Sequence, residues 1–232
     1  MGDNETVLGF DKFEKVLIIV VPMILGAVIG WFIPVIAEWI LKLPIVPMEK
    51  LIIMISSLNH FWVSIVATII GVIVGLIFSM IVFSETLKVI ISDHQVKLVI
   101  EDVEKVIEKK EISAIYMENK NLIVLGQSAN ELYRELSEFK MEVAREAFLY
   151  HSYPWKEEDP FASQYKRWVL DHPDFPADIN ALLNARAGAL KEDNKEEAKH
   201  LREDLAKVGI VIRGDKKAQY VRIIDVADNN AT

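Results

Sequence analysis

The sequence predicts a membrane α-helical hairpin followed by an α+β soluble part. Two uncharged apolar runs indicate the hairpin, at residues 16–33 and 61–83. Each run is long enough, at about 1.5 Å per residue, to cross a hydrocarbon core of about 30 Å. The predicted domains are an N-terminal tail (1–15), a two-span hairpin with an interfacial segment (16–84), a β domain with a C-terminal helix (85–150), a linker (151–176), a helix-helix-β-hairpin module (177–226) and a tail (227–232).

The composition excludes several kinds of chemistry. The 232 residues include no cysteine, which rules out disulfides, thiolate nucleophiles and zinc sites with cysteine ligands. The net charge is −8, and no segment is basic enough to attract nucleic acid or anionic lipid as a whole. The five histidines are scattered and no catalytic motif occurs, so we expect no enzyme activity, no metal and no cofactor.

Glycine pairs mark the contact faces of the two spans. Gly26 and Gly30 form GxxxG in the first span, and Gly71 and Gly75 repeat the motif in the second. Small residues allow helix backbones to approach closely in lipid. The four glycines are therefore predicted helix-packing residues, which join either the two spans of one hairpin or two copies in a homodimer.

The polar residues of the hairpin favour a structural role. Pro22 frees a backbone carbonyl in the first span that a neighbouring group can satisfy. Ser64 and Thr68 share one face of the second span, and no ionisable residue lies at mid-membrane, as a proton or ion path usually needs. Lys12, Lys15, Lys88 and Lys97 flank the spans on the side of the termini and Lys42 and Lys50 on the loop side. The positive-inside rule then predicts a multi-pass protein of the cell membrane with both termini in the cytoplasm.

The β domain is predicted from four short runs and a helix. The strands fall at 86–91, 96–100, 112–117 and 122–125, and apolar spacings of three and four predict a helix over 129–148. Strands closing on a helix directly after a transmembrane hairpin resemble the bacterial pleckstrin-homology-like (PH-like) domains. The resemblance implies a binding or oligomerising module. It does not strongly imply binding of lipid headgroups, because the strands and turns carry acidic side chains instead of a basic pocket, at Glu101, Asp102, Glu104, Glu108 and Glu111.

The linker and the C-terminal module follow. Residues 161–170 are expected to form a short helix, and His151, Asp171 and His172 to have surface or capping roles. Two helices are predicted next. The first has Pro176 in its first turn, and the second has Asp193 or Asn194 at its start and Gly209 beyond its end. A β-hairpin around residues 214–217 ends the module.

This module resembles the C-terminal piece of cysteinyl-tRNA synthetases. The similarity lies in Ala185-Arg186, Lys191-Glu192-Asp193, Glu197-Ala198, the run at 201–205, the run at 209–212 and Tyr220-Val221-Arg222. Lys199-His200-Leu201 and Ala218-Gln219-Tyr220 depart from the family pattern. The synthetase signatures HIGH and KMSKS are absent, so the resemblance implies RNA contact and no catalysis.

A basic stripe on the two helices would provide such contact. The candidate RNA- or partner-binding residues are Arg186, Lys191, Lys195, Lys199, Arg202 and Lys207. Acidic residues alternate with them, which is typical of a solvated face and favours contact with a protein.

The whole chain resembles the YqeB-type bacterial membrane proteins. We therefore expect a noncatalytic, membrane-anchored interaction or scaffold protein. Its expected partners are the lipid bilayer and an unidentified protein. A second copy of the chain is a further partner if the glycines join a homodimer. Two competing functions are a membrane-tethered RNA (tRNA) binding protein and an accessory subunit of a membrane complex.

Overall fold

The computed structural model describes residues 4–40, 60–101, 103–214 and 218–224. The chain divides into two compact units, one comprising residues 9–88 with 99–104 and the other the remainder. The predicted interfacial segment at 49–58, the turn at 215–217 and the tail at 227–232 lie outside the described residues.

Two long helices dominate the first unit. They are α1 (Lys12–Ile40) and α2 (His60–Ser84). A capping box fixes the start of α1, because the Glu14 backbone N–H donates to Asp11 Oδ1 at 2.7 Å and the Asp11 N–H donates to Glu14 Oε2 at 2.9 Å. Both helices are long and apolar enough to cross a membrane, and only 6% of the most apolar stretch of α1 and 11% of that of α2 is buried.

The four glycines lie where α1 and α2 approach each other. A Cβ added at Gly26 would overlap the carbonyl oxygen of Gly71, and one at Gly71 would overlap that of Gly26. A Cβ at Gly30 would meet the backbone of Ala67, and one at Gly75 would lie 2.5 Å from the carbonyl oxygen of Pro22. Both GxxxG motifs are therefore used inside one chain.

Two serines of α2 reach across to backbone carbonyls of α1. Pro22 has no N–H and so leaves the carbonyl of Ile18 without its helical partner. Ser79 Oγ donates to that carbonyl at 2.7 Å, and the side chain is almost fully buried. Ser64 Oγ donates to the carbonyl of Trp31 at 2.9 Å. The carbonyl freed by proline is thus satisfied by the neighbouring helix, as an apolar surrounding requires.

Three sheets and three shorter helices make up the rest of the described chain. The first sheet has the order β1–β2–β3–β4, from β1 (Thr6–Leu8), β2 (Lys88–Ile91), β3 (Gln95–Ile100) and β4 (Val103–Glu108). The second has the order β5–β6–β7, from β5 (Ile112–Glu118), β6 (Asn121–Gly126) and β7 (Glu131–Leu136). The next helix is α3 (Met141–Tyr150). The remaining elements are β8 (Lys166–Trp168), α4 (Ala177–Lys191), α5 (Lys195–Lys207), β9 (Ile210–Gly214) and β10 (Gln219–Ile223), and the third sheet has the order β8–β10–β9.

Strand β1 corrects the predicted N-terminal tail. It precedes α1 and pairs antiparallel with β2, which follows α2, in the register Thr6↔Ile91 to Leu8↔Val89. The helical hairpin is therefore an insertion between two paired strands. Three residues are too few for an alternating pattern to be recognised in sequence.

A buried histidine holds β1 in place. His151, at the end of α3, contacts Thr6 Oγ1 through Nε2 at 2.8 Å and Asp93 Oδ1 through Nδ1 at 2.7 Å. The hydrogen bond from His151 lowers the pKa of Asp93 below its usual value. His151 is the C-cap of α3, as a capping role requires, but the surface position expected for it is wrong, because the residue is 1% exposed.

Two predicted helices are also corrected. The first half of the helix expected at 129–148 is strand β7, which pairs with β6 in the register Val124↔Tyr133, and the helix itself is Met141–Tyr150. Within the helix expected at 161–170, a single 3₁₀ turn at Ala162–Gln164 precedes β8, in which Trp168 pairs with Gln219 of β10. In both places strand pairing overrides a local helical spacing.

The C-terminal module closes on its own core. Leu183 of α4, Leu205 of α5 and Ile212 of β9 pack with Trp168 and Val221. Asn194 caps α5 by accepting a hydrogen bond from the Glu197 N–H at 3.1 Å. Gly209, with φ 78°, ends the same helix in a left-handed conformation.

Candidate interaction site: a charged seam between two modules

The third sheet presents different chemistry on its two faces. Ile212 and Val221 point into the core with α4 and α5. Side chains alternate along a strand, so Arg213 of β9 and Arg222 of β10 lie on the opposite face. Their partners belong to β5–β7 and the segment that follows α3. We call this set of contacts the seam.

Arg213 forms the first part of the seam. Its guanidinium pairs with Glu118 of β5 and lies 3.7 Å from Asp159 Oδ2. It also stands over the ring of Tyr165, 5.0 Å from the ring centre. The carboxylate of Asp159 is almost fully buried and accepts a hydrogen bond from the Phe161 N–H at 2.8 Å.

Arg222 is the most deeply placed cation of the seam, at 3% exposure. One of its Nη atoms donates to the carbonyl of Ala129 at 2.7 Å. The guanidinium stacks 4.6 Å from the ring centre of Phe161, which itself packs on Tyr116 and its neighbours on the β5–β6 face. Arg222 thus joins the C-terminal sheet to the second sheet by a hydrogen bond and a cation–π contact.

Helix α5 supplies the second half of the seam against strand β7. Arg202 Nε lies 3.7 Å from Glu131 Oε1, and an Nη of Arg202 donates to the carbonyl of Arg134 at 3.4 Å. Lys199, one turn earlier, pairs with Glu135. Lys199 and Arg202, which are three residues apart on α5, therefore face Glu135 and Glu131, which are four residues apart on β7.

Arg186 of α4 lies behind these pairs. It is 7% exposed, and one Nη donates to Gln219 Oε1 at 2.5 Å while Gln219 Nε2 donates to the Leu183 carbonyl at 2.9 Å. Burial, together with the positive charges of Arg202 and Arg134, lowers the pKa of Arg186 to about 10. The side chain is therefore still charged at neutral pH.

Two tyrosines border the seam in their protonated form. Burial, with a smaller contribution from the charge of Asp159, raises the pKa of Tyr165 to about 12. The same two causes, in the same order, raise the pKa of Tyr116 well above its ordinary value. An open cavity of about 430 Å³ adjoins this part of the seam and is lined by Glu118, Tyr165, Arg213 and Tyr220 among others.

Comparison with known proteins identifies the family. Residues 6–156 match the model of the YqeB-like bacterial PH domain. The chain belongs to this YqeB-like family. The match begins at β1 and ends beyond α3, so the helical hairpin lies inside the matched region.

Two further comparisons describe the YqeB-like chain. Residues 172–222 match the cysteinyl-tRNA ligase anticodon binding domain. The "Uncharacterized protein YqeB" of Bacillus subtilis (strain 168) is 34% identical over 222 residues, which cover 95% of this chain and 92% of that protein. No solved structure is significantly similar to the chain.

Only some of the six basic residues that were predicted to form a stripe on the YqeB-like chain belong to the seam. Arg186 is buried, and Lys199 and Arg202 contact acidic residues of β7. Lys191 and Lys195 are exposed, and exposed Lys207 pairs with Asp204 on its own helix at 2.8 Å. The six residues therefore do not form one continuous exposed surface.

Sequence reasoning missed the remaining charged residues of the seam, namely Glu118, Glu131, Arg134, Glu135, Asp159, Arg213 and Arg222. The helix predicted at 129–148 places Arg134 on its surface, whereas the structure places Arg134 in β7. A signal for Arg222 is present in the sequence, because a cation inside the short apolar strand at 219–224 must find a buried partner.

Proposed function

We propose that this YqeB-like chain is a noncatalytic interaction or scaffold protein anchored in the cell membrane, with its PH-like and C-terminal modules in the cytoplasm. The observation that carries the proposal is the pairing of β1 with β2 on either side of the helical hairpin. Strands that share backbone hydrogen bonds must lie on the same side of a bilayer. Both ends of the hairpin therefore return to one compartment.

The hairpin itself supports an anchoring role. Residues 16–37 and 61–84 contain no charged side chain, and most of their apolar side chains are exposed instead of buried in the protein. A core helix of a soluble protein would be buried. The serine bonds to the carbonyls of Ile18 and Trp31 satisfy polar groups inside the hairpin, which hydrocarbon cannot do.

The lysines near the spans support a cytoplasmic location for the modules. Lys12, Lys15 and Lys88 flank the ends of the hairpin that lead to the sheet, and Lys42 and Lys50 lie in the connection. The positive-inside rule places the more basic side in the cytoplasm. This count and the β1–β2 pairing support a multi-pass topology with both termini inside.

The modules supply the interaction role. PH-like domains are in general binding modules, and the seam fixes the C-terminal module on the second sheet through contacts such as Arg213–Glu118 and Lys199–Glu135. A rigid pair of modules can present α4 and α5 to a protein partner at low entropic cost. Assembly of two copies, or service as an accessory subunit of a membrane complex, would use the same exposed surfaces.

Binding of tRNA is the second candidate, favoured by the match to an anticodon binding domain. Lys191 and Lys195 are exposed and could contact phosphates. Against this candidate, Arg186, Lys199 and Arg202 are engaged at the seam. The candidate would need the seam to open.

A filter-binding titration of the detergent-solubilised full-length chain with tRNA separates the two functions. We expect no retention of tRNA above that of a negatively charged control protein, even at low salt. Retention that falls steeply with salt and is weakened by the double substitution Lys191→Gln, Lys195→Gln would favour RNA binding and contradict the proposal. Glu196→Gln, next to Lys195 on α5, serves as the matched control.

A further inference from the structure

Helix α4 exposes no charged side chain between Asp178 and Lys191. The residues along its outer face are small and uncharged, namely Ala181, Asn184, Ala185 and Gly188. On α5, by contrast, every exposed residue from Lys195 to Lys207 is charged except His200. A helix face in contact with water normally carries charged and polar residues. The outer face of α4 therefore indicates a contact surface, whereas that of α5 is an ordinary solvated face.

An open groove of about 350 Å³ lies beside the outer face of α4. It is lined by Ala177, Ala181 and Asn184 of α4 and by the segment between β8 and α4, which includes Leu170. We call this surface the α4 groove. Leu170 is 62% exposed, and Val169 before it is 52% exposed. Two large apolar side chains in succession thus face solvent next to a strip of small residues, as at a site of contact with another protein.

Buried hydrogen bonds fix the shape of the α4 groove. Trp168 Nε1 donates to Asn180 Oδ1 at 2.9 Å. Asn180 Nδ2 donates to the carbonyl of His172 at 3.1 Å and to that of Phe175 at 2.9 Å. These bonds tie the segment between β8 and α4 to the helix. The groove is therefore preformed, which lowers the entropic cost of binding.

The surroundings of the α4 groove are acidic. Residues 169–185 include Asp171, Asp174 and Asp178 and no lysine or arginine. Asp174 pairs with Lys166 at 2.7 Å. Asp171 and Asp178 are exposed and have no ion-pair partner among the residues that the structure describes. Two negative charges thus remain at the edge of an apolar groove.

An amphipathic helix with basic residues beside its apolar face matches these features. The outer face of α4 from Ala177 to Gly188 is about 16 Å long, or about three turns of helix. Its small side chains allow a second helix to pack closely. Leu170 would meet apolar side chains of the partner, and Asp171 and Asp178 would meet its lysines or arginines. The same aspartates repel RNA and anionic lipid, and so favour a protein in the groove.

We propose that the α4 groove binds a basic amphipathic helix of a partner protein. Apolar side chains of the partner cover Val169 and Leu170, and its cations pair with Asp171 and Asp178. The interaction role proposed above, on which the inference rests, thereby gains a partner of defined chemistry. Helix α5 of a second copy does not meet the requirement, because acidic residues alternate with its lysines.

A fluorophore beside the α4 groove tests the proposal. The chain has no cysteine, so Ala185→Cys provides a single site for bimane on the full-length chain in phosphatidylcholine nanodiscs. The ligand is a synthetic helical peptide of leucine and lysine. We expect a saturable blue shift of the bimane emission, because the bound peptide removes the label from water. The same peptide with glutamate in place of lysine should cause no shift.

A second labelling site controls for binding of the peptide to lipid. Bimane at Glu196→Cys lies on the exposed face of α5, away from the residues that line the α4 groove. Peptide that enters only the bilayer would affect both labels alike. We expect the label at Glu196→Cys to respond to neither peptide.

Substitutions in the labelled chain make the test specific to the groove. Leu170→Ser should weaken binding of the lysine peptide about 10-fold or more, since an apolar contact is lost. Asp171→Asn with Asp178→Asn should weaken it about 3-fold to 10-fold and remove most of its salt dependence. Asparagine tolerates the positive φ of 55° at the first of these positions. Glu196→Gln with Glu203→Gln removes the same charge from α5 and should leave the affinity unchanged.

Several results would overturn the proposal. They are the absence of a shift with the lysine peptide, an equal shift with the glutamate peptide, and an unchanged affinity in both Leu170→Ser and the double aspartate variant. A blue shift without peptide would also overturn it. If a higher concentration of the chain causes that shift, a second copy occupies the groove, and if phosphatidylglycerol in the nanodisc causes it, the membrane does. Failure of the proposed function is a separate result, because it appears as retention of tRNA.

Discussion

Replacing Gly26 by alanine should destabilise the helical hairpin by about 3 kcal/mol or more, the upper end of the cost of overpacking. The added methyl group would overlap the backbone of Gly71, which cannot move aside as a flexible side chain could. The two helices would have to separate along their length. Far-UV circular dichroism during titration with sodium dodecyl sulfate in mixed micelles measures the loss.

The matched control is the same substitution at Gly188 of α4. A Cβ there meets nothing within 4 Å, so Gly188→Ala should raise stability by about 0.5–1 kcal/mol through helix propensity alone. Equal stability of Gly26→Ala and the parent chain would contradict the close packing of α1 on α2. The loss in Gly26→Ala should not depend on protein concentration, whereas disruption of a homodimer through the same glycines would.

Replacing Glu131 by glutamine should have the second large effect, a loss of about 3 kcal/mol in the free energy of unfolding. The carboxylate is 7% exposed, is the nearer of the two carboxylate partners of Arg134 and also pairs with Arg202, so its removal leaves these cations with too little counter-charge. Thermal unfolding in chloride buffer measures the change.

Glu135→Gln, on the same strand, is the control for this substitution. The partner of Glu135 is Lys199, whose side chain is 43% exposed, and such a pair contributes less than about 1 kcal/mol. Equal losses in the free energy of unfolding of the two variants would contradict the inference that the burial of Glu131 causes the large effect.

The sequence predicted the features that are set by local chemistry. The glycine pairs, the cap at Asn194 (one of the two candidates, with Asp193) and the left-handed end of α5 at Gly209 all depend on residues close in the chain, and the structure has them. Pro22 also predicts a carbonyl that a neighbouring group must satisfy. That Ser79 satisfies it depends on the register of two helices and could not be read from spacing.

The features that the sequence did not predict depend on partners far along the chain. Leu132 and Leu136 have helical spacing, yet pairing with β6 makes their segment a strand. The seam joins residues 68 to 95 positions apart, such as Arg202 with Arg134 and Arg213 with Glu118. Alternating charge on α5 indicated a solvated face, and only the fold reveals that Lys199 and Arg202 face acidic residues of β7.

Cysteine labelling in cells tests most directly whether the hairpin anchors both flanking strands on one side of the membrane. The chain has no native cysteine, so Asn4→Cys before α1, Glu49→Cys between the helices and Ser163→Cys in the soluble part each create a single labelling site. A membrane-impermeant maleimide should label only Glu49→Cys in intact cells. It should label all three variants once the membranes are permeabilised. The protein should also stay with the membranes during alkaline washing. This topology would be contradicted by labelling of Ser163→Cys in intact cells, or by labelling of only one of Asn4→Cys and Ser163→Cys there. Recovery of the chain in the soluble fraction would also contradict it.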